Sequence, residues 1–252
     1  MADIQLILTD IDGTLVPVGS HEVSERVRMA VVAAEQAGIS VVPVSGRPYE
    51  MAEGILNVLG FDGLCVLDGG ASIRKATTGE LVWSQWLSPE TIQAIMRIIE
   101  PHCVLVDYDV AQVERGPEDI AIDLITDAAP YVYAQVHKPA AEAIMRQLAA
   151  VPDINSHLLA NLVDMPDIQE IQITHAGGNK RHGVQELLRL LEIDLAHVMA
   201  VGDGNNDLPL FEAAGLKIAV GNASNELKVA ADHVVASVEY DGFAEAVERF
   251  VL

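Results

Sequence analysis

Three short apolar runs lie far apart in the chain, and each stops at a polar, glycine-bearing motif. Ile4 to Thr9 runs into Asp10-Ile11-Asp12-Gly13, Ile39 to Val44 into Ser45-Gly46-Arg47-Pro48, and His197 to Val201 into Gly202-Asp203-Gly204-Asn205-Asn206-Asp207. Apolar runs without alternation read as strands buried on both faces, the pattern of a parallel sheet with helices on either side. In open sheets of this kind ligands bind beyond the carboxyl ends of the strands, so motifs distant in sequence can meet at one edge.

The segments between these runs fit that frame. Val23, Val27, Val31 and Ala34 fall at helical spacing before Gly38, a second helix is predicted from Tyr49 to Leu59, and Leu64 to Leu67 reads as another buried strand. Strand, helix, strand, helix, strand opens a doubly wound, Rossmann-like α/β domain. From Ile73 the pattern changes. Ile73 to Lys75 and Leu81 to Trp86 flank Thr78-Gly79 as a hairpin, and a helix with Ile92, Ile95, Met96 and Ile99 on one face follows. Strands are predicted at 104–106, 120–125, 131–136, 157–162 and 168–174, with a helix carrying Ile144 and Leu148 among them. Two helix-then-two-strand units make residues 85–176 a small inserted α/β domain, with 1–84 and 177–252 as a discontinuous core. The helical face of Val184, Leu187, Leu188 and Leu191 resumes the first pattern, and further strands and helices run to Phe250.

Asp10 and Asp12 stand one residue apart. Like charges about 4 Å apart repel by about 4 kcal/mol at an effective dielectric of roughly 20, so such a pair calls for a shared proton, a cation or a chemical task. Taken alone, the stretch also fits a solvated turn, since Asp and Gly are ordinary turn residues. Asp203 and Asp207 bring two more acids to the same sheet edge, which favours a bound divalent ion held by oxygen ligands. Ser45 and Gly46 offer a hydroxyl and backbone N–H groups at a strand-to-helix turn, a cradle for a phosphate. Lys180 opens the helix after the insert, where its ammonium can neutralise a phosphate oxygen, and its replacement by alanine is expected to slow the chemistry without touching the fold.

The formal charge of −22, from 37 acidic and 15 basic residues, argues against nucleic acid or an anionic membrane as partner. Cys65 and Cys103 lie inside apolar runs without metal-ligand spacing and read as buried thiols. The short apolar start and the lack of any membrane-length run lead to an expected cytoplasmic protein. Asn222-Ala223-Ser224 matches a glycosylation acceptor, an accidental match in that setting.

Taken together, DIDGTL, SGRP, Lys180, GDGNNDLPLF, AVGNASNELKVAADHV and the closing DGFAEAVERF resemble the haloacid dehalogenase superfamily, within it the Cof-like phosphatases whose cap is inserted between the second and third motifs. The resemblance covers the core, and the cap follows the family in its alternating pattern only. It implies Asp10 as nucleophile, Asp12 as general acid and base, and Mg2+ held by Asp10, the Asp12 carbonyl and Asp203 with Asp207 in support. It also implies that Ile11, Ser45, Gly46, Lys180 and Asn206 hold phosphoryl oxygens, and it leaves Arg47 either at the substrate or paired with a local acid.

Two departures stand out: Asp68 where relatives more often carry asparagine, and Arg181 where glycine is common. Asp68 is expected to face the substrate, to pair with Arg47 or to cap its turn. The function implied is a Mg2+-dependent phosphatase, monomeric or homodimeric, acting on a small phosphorylated metabolite such as a sugar phosphate. Phosphoglycolate and sucrose-phosphate phosphatases are similar in motif layout. A phosphomannomutase-like phosphotransferase is the alternative, ahead of a non-catalytic phosphate or Mg2+ binding module. Asp12 and the acid-rich last motif argue against a dehalogenase. Within the insert, Asp107, Tyr108, Arg115, Asp123 and Tyr133 are candidates for substrate contact.

Overall fold

The computed structural model describes residues 4–108, 116, 121–158 and 165–252. In chain order, β1 (Leu6–Thr9), α1 (Glu25–Gln36), β2 (Ser40–Pro43), α2 (Tyr49–Leu59), β3 (Leu64–Leu67), β4 (Ser72–Lys75) and β5 (Leu81–Ser84) come first. There follow α3 (Pro89–Ile99), β6 (Cys103–Asp107), β7 (Tyr131–His137), α4 (Lys138–Leu148), β8 (Ile154–Leu158) and β9 (Ile168–His175). The chain closes with α5 (Lys180–Leu191), β10 (Val198–Gly202), α6 (Leu208–Glu212), β11 (Leu216–Ala219), α7 (Asn225–Ala230), β12 (His233–Val234) and α8 (Gly242–Phe250). They divide into two compact units, Met1–Trp83 with Lys180–Leu252, and Ser84–Asn179.

The larger unit is built on a five-stranded parallel sheet in the order β12-β11-β10-β1-β2. Every residue of β1 and β10 is buried, as strands covered on both faces must be. The chain leaves β1 toward β2 on one side and returns through β10 and β11 on the other. The sheet's switch point therefore lies between β1 and β10, where Thr9 stands opposite Val201. That is where such sheets open a crevice at their carboxyl edge. Helix α1 starts at Ser24, whose Oγ accepts the Val27 N–H at 3.1 Å, and buries Val27, Ala30, Val31 and Ala34. Beside β2, a bridge between Val44 and Val66 brings in β3, which turns back antiparallel to β4.

The smaller unit is an antiparallel sheet in the order β6-β7-β9-β8. Val132, Ala134, Val136, Ile171 and Ile173 bury one face against α3 and α4, while the alternate residues Tyr131, Tyr133 and Gln135 remain half-buried on the other. Ser88 caps α3, Pro89 occupies its first turn, and Ile92, Ile95, Met96 and Ile99 form its buried stripe as the spacing predicts.

Three details differ from the sequence expectation. Instead of a strand at 120–125, Ile122–Leu124 form a single 3-10 turn, and residues 117–120 lie outside the described residues. Ile122 and Ile125 are three apart, and the turn closes by a bond from the Ile125 N–H to the Ile122 carbonyl, leaving Leu124 exposed. Strand β8 begins earlier than predicted, and residues 159–162 of the predicted strand, like Arg115, fall outside the described residues. Residues 177–179 group with the smaller unit because the Gly178 N–H returns to the His175 carbonyl and Asn179 Nδ2 to the Ala176 carbonyl, tying them to the end of β9. No described helix is long and apolar enough to cross a membrane.

Candidate active site

Asp10 is the first residue past β1, and its N–H still bonds across the sheet to the Val201 carbonyl at 3.1 Å. That bond sets the head of the first motif beside the start of the third. The chain then curls: the Ile11 carbonyl accepts N–H groups from Leu15 and Val16, and the Gly13 N–H reaches back to the Val16 carbonyl. Gly13 has a φ of +79°, and a Cβ there would strike the Asp203 carboxylate, so both conformation and space demand glycine. Thr14 Oγ1 donates to Asp203 Oδ1 at 3.3 Å, and Asn222 Nδ2 donates to the Gly13 carbonyl at 2.8 Å.

At the centre, Lys180 Nζ bridges two buried carboxylates, Asp10 Oδ1 at 2.6 Å and Asp207 Oδ1 at 2.7 Å. The lysine opens α5 as expected, but it is itself only 6 % exposed, buried in the site and not at the surface. Its position follows from packing. Helix α5 lies close against the Asp68–Gly70 turn, where Gly183 leaves no room for a side chain beside the Gly70 carbonyl, and its first residue is thereby driven into the sheet edge. Asp207 uses its other oxygen to accept the N–H groups of Asp203 and Gly204, both at 3.0 Å, which fixes the third motif as a closed loop.

Burial pushes the Asp10 carboxyl up to about 7, with the Lys180 ammonium pulling it back and Asp207 and Asp203 adding to the rise. Burial, then Asp207, also raises Asp203. For Lys180 burial acts downward, yet the charges of Asp10 and Asp207 outweigh it and hold the ammonium above its ordinary value.

One oxygen each from Asp10, Asp203 and Asp207 lies within 4.8 Å of the others. The set is all carboxylate, which suits a hard divalent cation. Among the described hydrogen bonds, Asp10 Oδ2 and Asp203 Oδ2 accept none, whereas both oxygens of Asp207 are engaged by Lys180 and the loop. All three residues could offer an oxygen to a cation, and Asp10 and Asp203 each keep one that no described hydrogen bond engages. The Asp12 carboxylate is outside this cluster.

Asp12 instead faces Arg47. The guanidinium grips both carboxylate oxygens, Nε to Oδ2 at 2.8 Å and NH2 to Oδ1 at 2.6 Å. Ser45 is buried and its Oγ accepts the Arg47 N–H at 3.1 Å, while the Asp68 and Gly69 N–H groups bond to the Arg47 and Ser45 carbonyls and pin the second motif against β3. A cleft of about 420 Å³ opens here, lined by Asp10, Asp12, Ser45, Gly46, Arg47, Met51, Asp203, Gly204 and Asn206 among others. Ile11 is buried and is not among the lining residues, whereas Gly46 and Asn206 are exposed.

The Asp68 carboxylate does not pair with Arg47, and the residue is not among those lining the cleft. Its carboxylate accepts the Ser72 hydroxyl at 2.5 Å and lies 3.9 Å from Arg74 Nε, an internal tie across the β3–β4 turn. Burial raises its pKa, against the pull of Ser72 and Arg74. Arg181 turns outward to Glu212 on α6. Asn222 is the residue whose part the sequence concealed: besides Gly13, it holds the Val238 N–H through Oδ1 at 2.8 Å. Its place in AVGNASNELK is the only available signal.

The profile of the haloacid dehalogenase-like hydrolases matches residues 7–116 and 132–247. The phosphoglycolate phosphatase of Methanothermobacter thermautotrophicus is 26% identical over 254 residues, covering 98% of this chain and 99% of its own. The 5-amino-6-(5-phospho-D-ribitylamino)uracil phosphatase YcsE of Bacillus subtilis is 26% identical over 268 residues, covering 99% and 97%. Among solved structures, the HAD subclass IIB sugar phosphatase BT4131 superposes with a TM-score of 0.71 at 20% identity, covering 98% of both chains, a likeness of fold.

Proposed function

The chain belongs to the haloacid dehalogenase-like hydrolases, and from that footing we propose that it is a Mg2+-dependent phosphatase of a small phosphorylated metabolite, a sugar phosphate or related phosphomonoester. The observation that carries this is Asp10: one oxygen is neutralised by Lys180, the other has no described hydrogen bond, and the residue lines the cleft together with Asp203. A carboxylate so placed is a nucleophile with its charge balanced from behind. The relatives that span the whole chain are named as phosphatases of small organic phosphates, which supports the substrate class.

In this mechanism one oxygen of the Asp10 carboxylate attacks the phosphorus, the bond from phosphorus to the substrate oxygen breaks, and Asp12, entering the step protonated, gives that oxygen its proton. Water then attacks the aspartyl phosphate while Asp12 takes a proton from it, the phosphorus–Asp10 bond breaks, and inorganic phosphate leaves. Asp10 and Asp203, with the Asp12 backbone carbonyl, would hold Mg2+, which when bound draws negative charge from the phosphoryl oxygens. Lys180 neutralises the nucleophile's edge of the site, and Ser45, Gly46 and Asn206 line the remaining approach.

The test is a panel of phosphorylated metabolites, phosphoglycolate and sugar and polyol phosphates included, with and without exhaustive chelation. Release of inorganic phosphate that ceases on chelation is the expected result. Formation of an isomeric sugar phosphate in place of inorganic phosphate would instead point to phosphotransfer. Rapid-quench labelling of Asp12→Asn with nitrophenyl phosphate should find phosphate on Asp10, because a good leaving group needs little protonation. With an alkyl phosphate the same variant should lose about 10²- to 10⁴-fold in rate. Label on any other residue would overturn the assignment.

A further inference from the structure

Arg47 carries five N–H donors in a rigid planar fork. Four of them have an acceptor inside the larger unit, and the fifth faces the His21 ring, which accepts it in the tautomer with Nδ1 unprotonated. Nε and one NH2 hydrogen take the two oxygens of Asp12, the second NH2 hydrogen faces the Ser20 carbonyl at 3.0 Å, and NH1 faces the Met51 carbonyl at 3.2 Å and His21 Nδ1 at 3.4 Å. The side chain is 9 % exposed although it borders the cleft. To receive a phosphoryl oxygen it would have to give up one of these bonds, the strongest of which form a bidentate ion pair. Asp12, by contrast, has no other described hydrogen bond to its carboxylate, so the direction of that side chain is set by Arg47 alone.

We propose that Arg47 is a positioning residue: its fork fixes where the Asp12 carboxylate points and anchors the Ser20–His21 segment behind it, and it is not a ligand of the substrate's phosphoryl group. This rests on the phosphatase reading, in which Asp12 moves the proton. One Asp12 oxygen leaves the fork to serve the leaving group or the attacking water, and the fork returns the carboxylate to one place between turnovers. A lysine could supply the charge at this position but not the two parallel bonds.

Inorganic phosphate, titrated calorimetrically into the Mg2+-loaded protein, separates the two roles without reference to turnover. Arg47→Met should weaken phosphate by about tenfold, because the freed Asp12 carboxylate then repels the anion. The double variant Asp12→Asn, Arg47→Met should return to within about threefold of the unaltered protein. If the single and double variants are weakened alike by tenfold or more, Arg47 is a phosphate ligand and the proposal fails. Turnover gives a second arm. On an alkyl phosphate the double variant should match Asp12→Asn within about twofold, since a residue that acts through Asp12 adds nothing once Asp12 is gone. Multiplicative losses would overturn the proposal.

Should Arg47→Met not fold, Arg47→Lys decides. A lowered kcat with KM unchanged supports positioning, and a raised KM with kcat kept contradicts it. Failure of the unaltered protein to bind phosphate at all would sink the phosphatase reading itself, and the proposal with it.

Discussion

The two sheets place their polar groups by opposite rules. In the parallel sheet the strands β1 and β10 are buried along their whole length, and the polar groups gather past their carboxyl ends, at Asp10, Asp203 and Asp207. In the antiparallel sheet of the smaller unit, buried and half-buried residues alternate along β7 and β9, so polar side chains such as Tyr133, Gln135 and Glu170 spread across a whole face. The difference is one of what each side chain can cost. A carboxylate at the edge of a doubly covered sheet is desolvated and must be matched by a specific partner, whereas one on a half-open face keeps water as an alternative.

The same chemical change, carboxylate to amide, should therefore have unequal effects in the two regions. Asp207→Asn is the strongest case. Asp207 is fully buried, one oxygen accepts the Lys180 ammonium and the other accepts two backbone N–H groups. An amide has only one acceptor oxygen, so either the lysine or the loop loses its partner. We expect a loss of about 3–5 kcal/mol in stability, the usual result of breaking one side of a buried pair, and loss of nearly all turnover. Chemical denaturation measures the first, and a loss below about 1 kcal/mol would break the comparison.

The contrast also explains what could be foreseen. The core was legible because its functional groups interrupt apolar runs: Asp10, Ser45 and Asp203 each stand where a buried strand stops, and strand ends in a parallel sheet share one edge. Lys180 was found by its place in the chain, but its burial was not, since that depends on Gly183 letting α5 close onto the Gly70 turn, a contact between segments more than 100 residues apart. The partners of Arg47 and Asp68 were likewise hidden. Each acid had several cations within sequence reach, and only the β3–β4 pairing decides that Asp68 meets Ser72 and Arg74. In the smaller unit, strict alternation gave the strands β7 and β9 but marks every second residue as polar, so no single one stands out.

A gentler test uses pH. The Asp10 carboxyl, raised by burial to about 7 from an ordinary value of 3.8, keeps in the folded protein a proton that the unfolded chain has already released. Stability from this group is thus full below the ordinary value and is lost as pH rises through about 7. Without divalent ions, the unaltered protein should melt about 5–10 °C higher at pH 5 than at pH 8, relative to Asp10→Asn, which cannot take up the proton. Mg2+ added at pH 8 should recover the difference. A melting temperature that rises with pH relative to Asp10→Asn would reverse the sign and show that Lys180 dominates the site's charge balance.

The smallest effect is expected for Glu170→Gln, and it is the most direct control for the first. Glu170 is half-buried on the open face of the smaller sheet, where its Oε1 accepts from the Tyr133 hydroxyl and from Gln135 Nε2. Both of those donors are neutral, and glutamine keeps an oxygen in the same place to accept them. What disappears is a charge that water already solvates, together with the charge-assisted part of two hydrogen bonds. The change should cost no more than about 0.5 kcal/mol, typical of surface substitutions away from buried networks, and should leave the rate on nitrophenyl phosphate within about twofold. Chemical denaturation beside Asp207→Asn makes the measurement. A cost for Glu170→Gln approaching that for Asp207→Asn would mean that the open face is desolvated after all, and that the two sheets place their carboxylates by one rule.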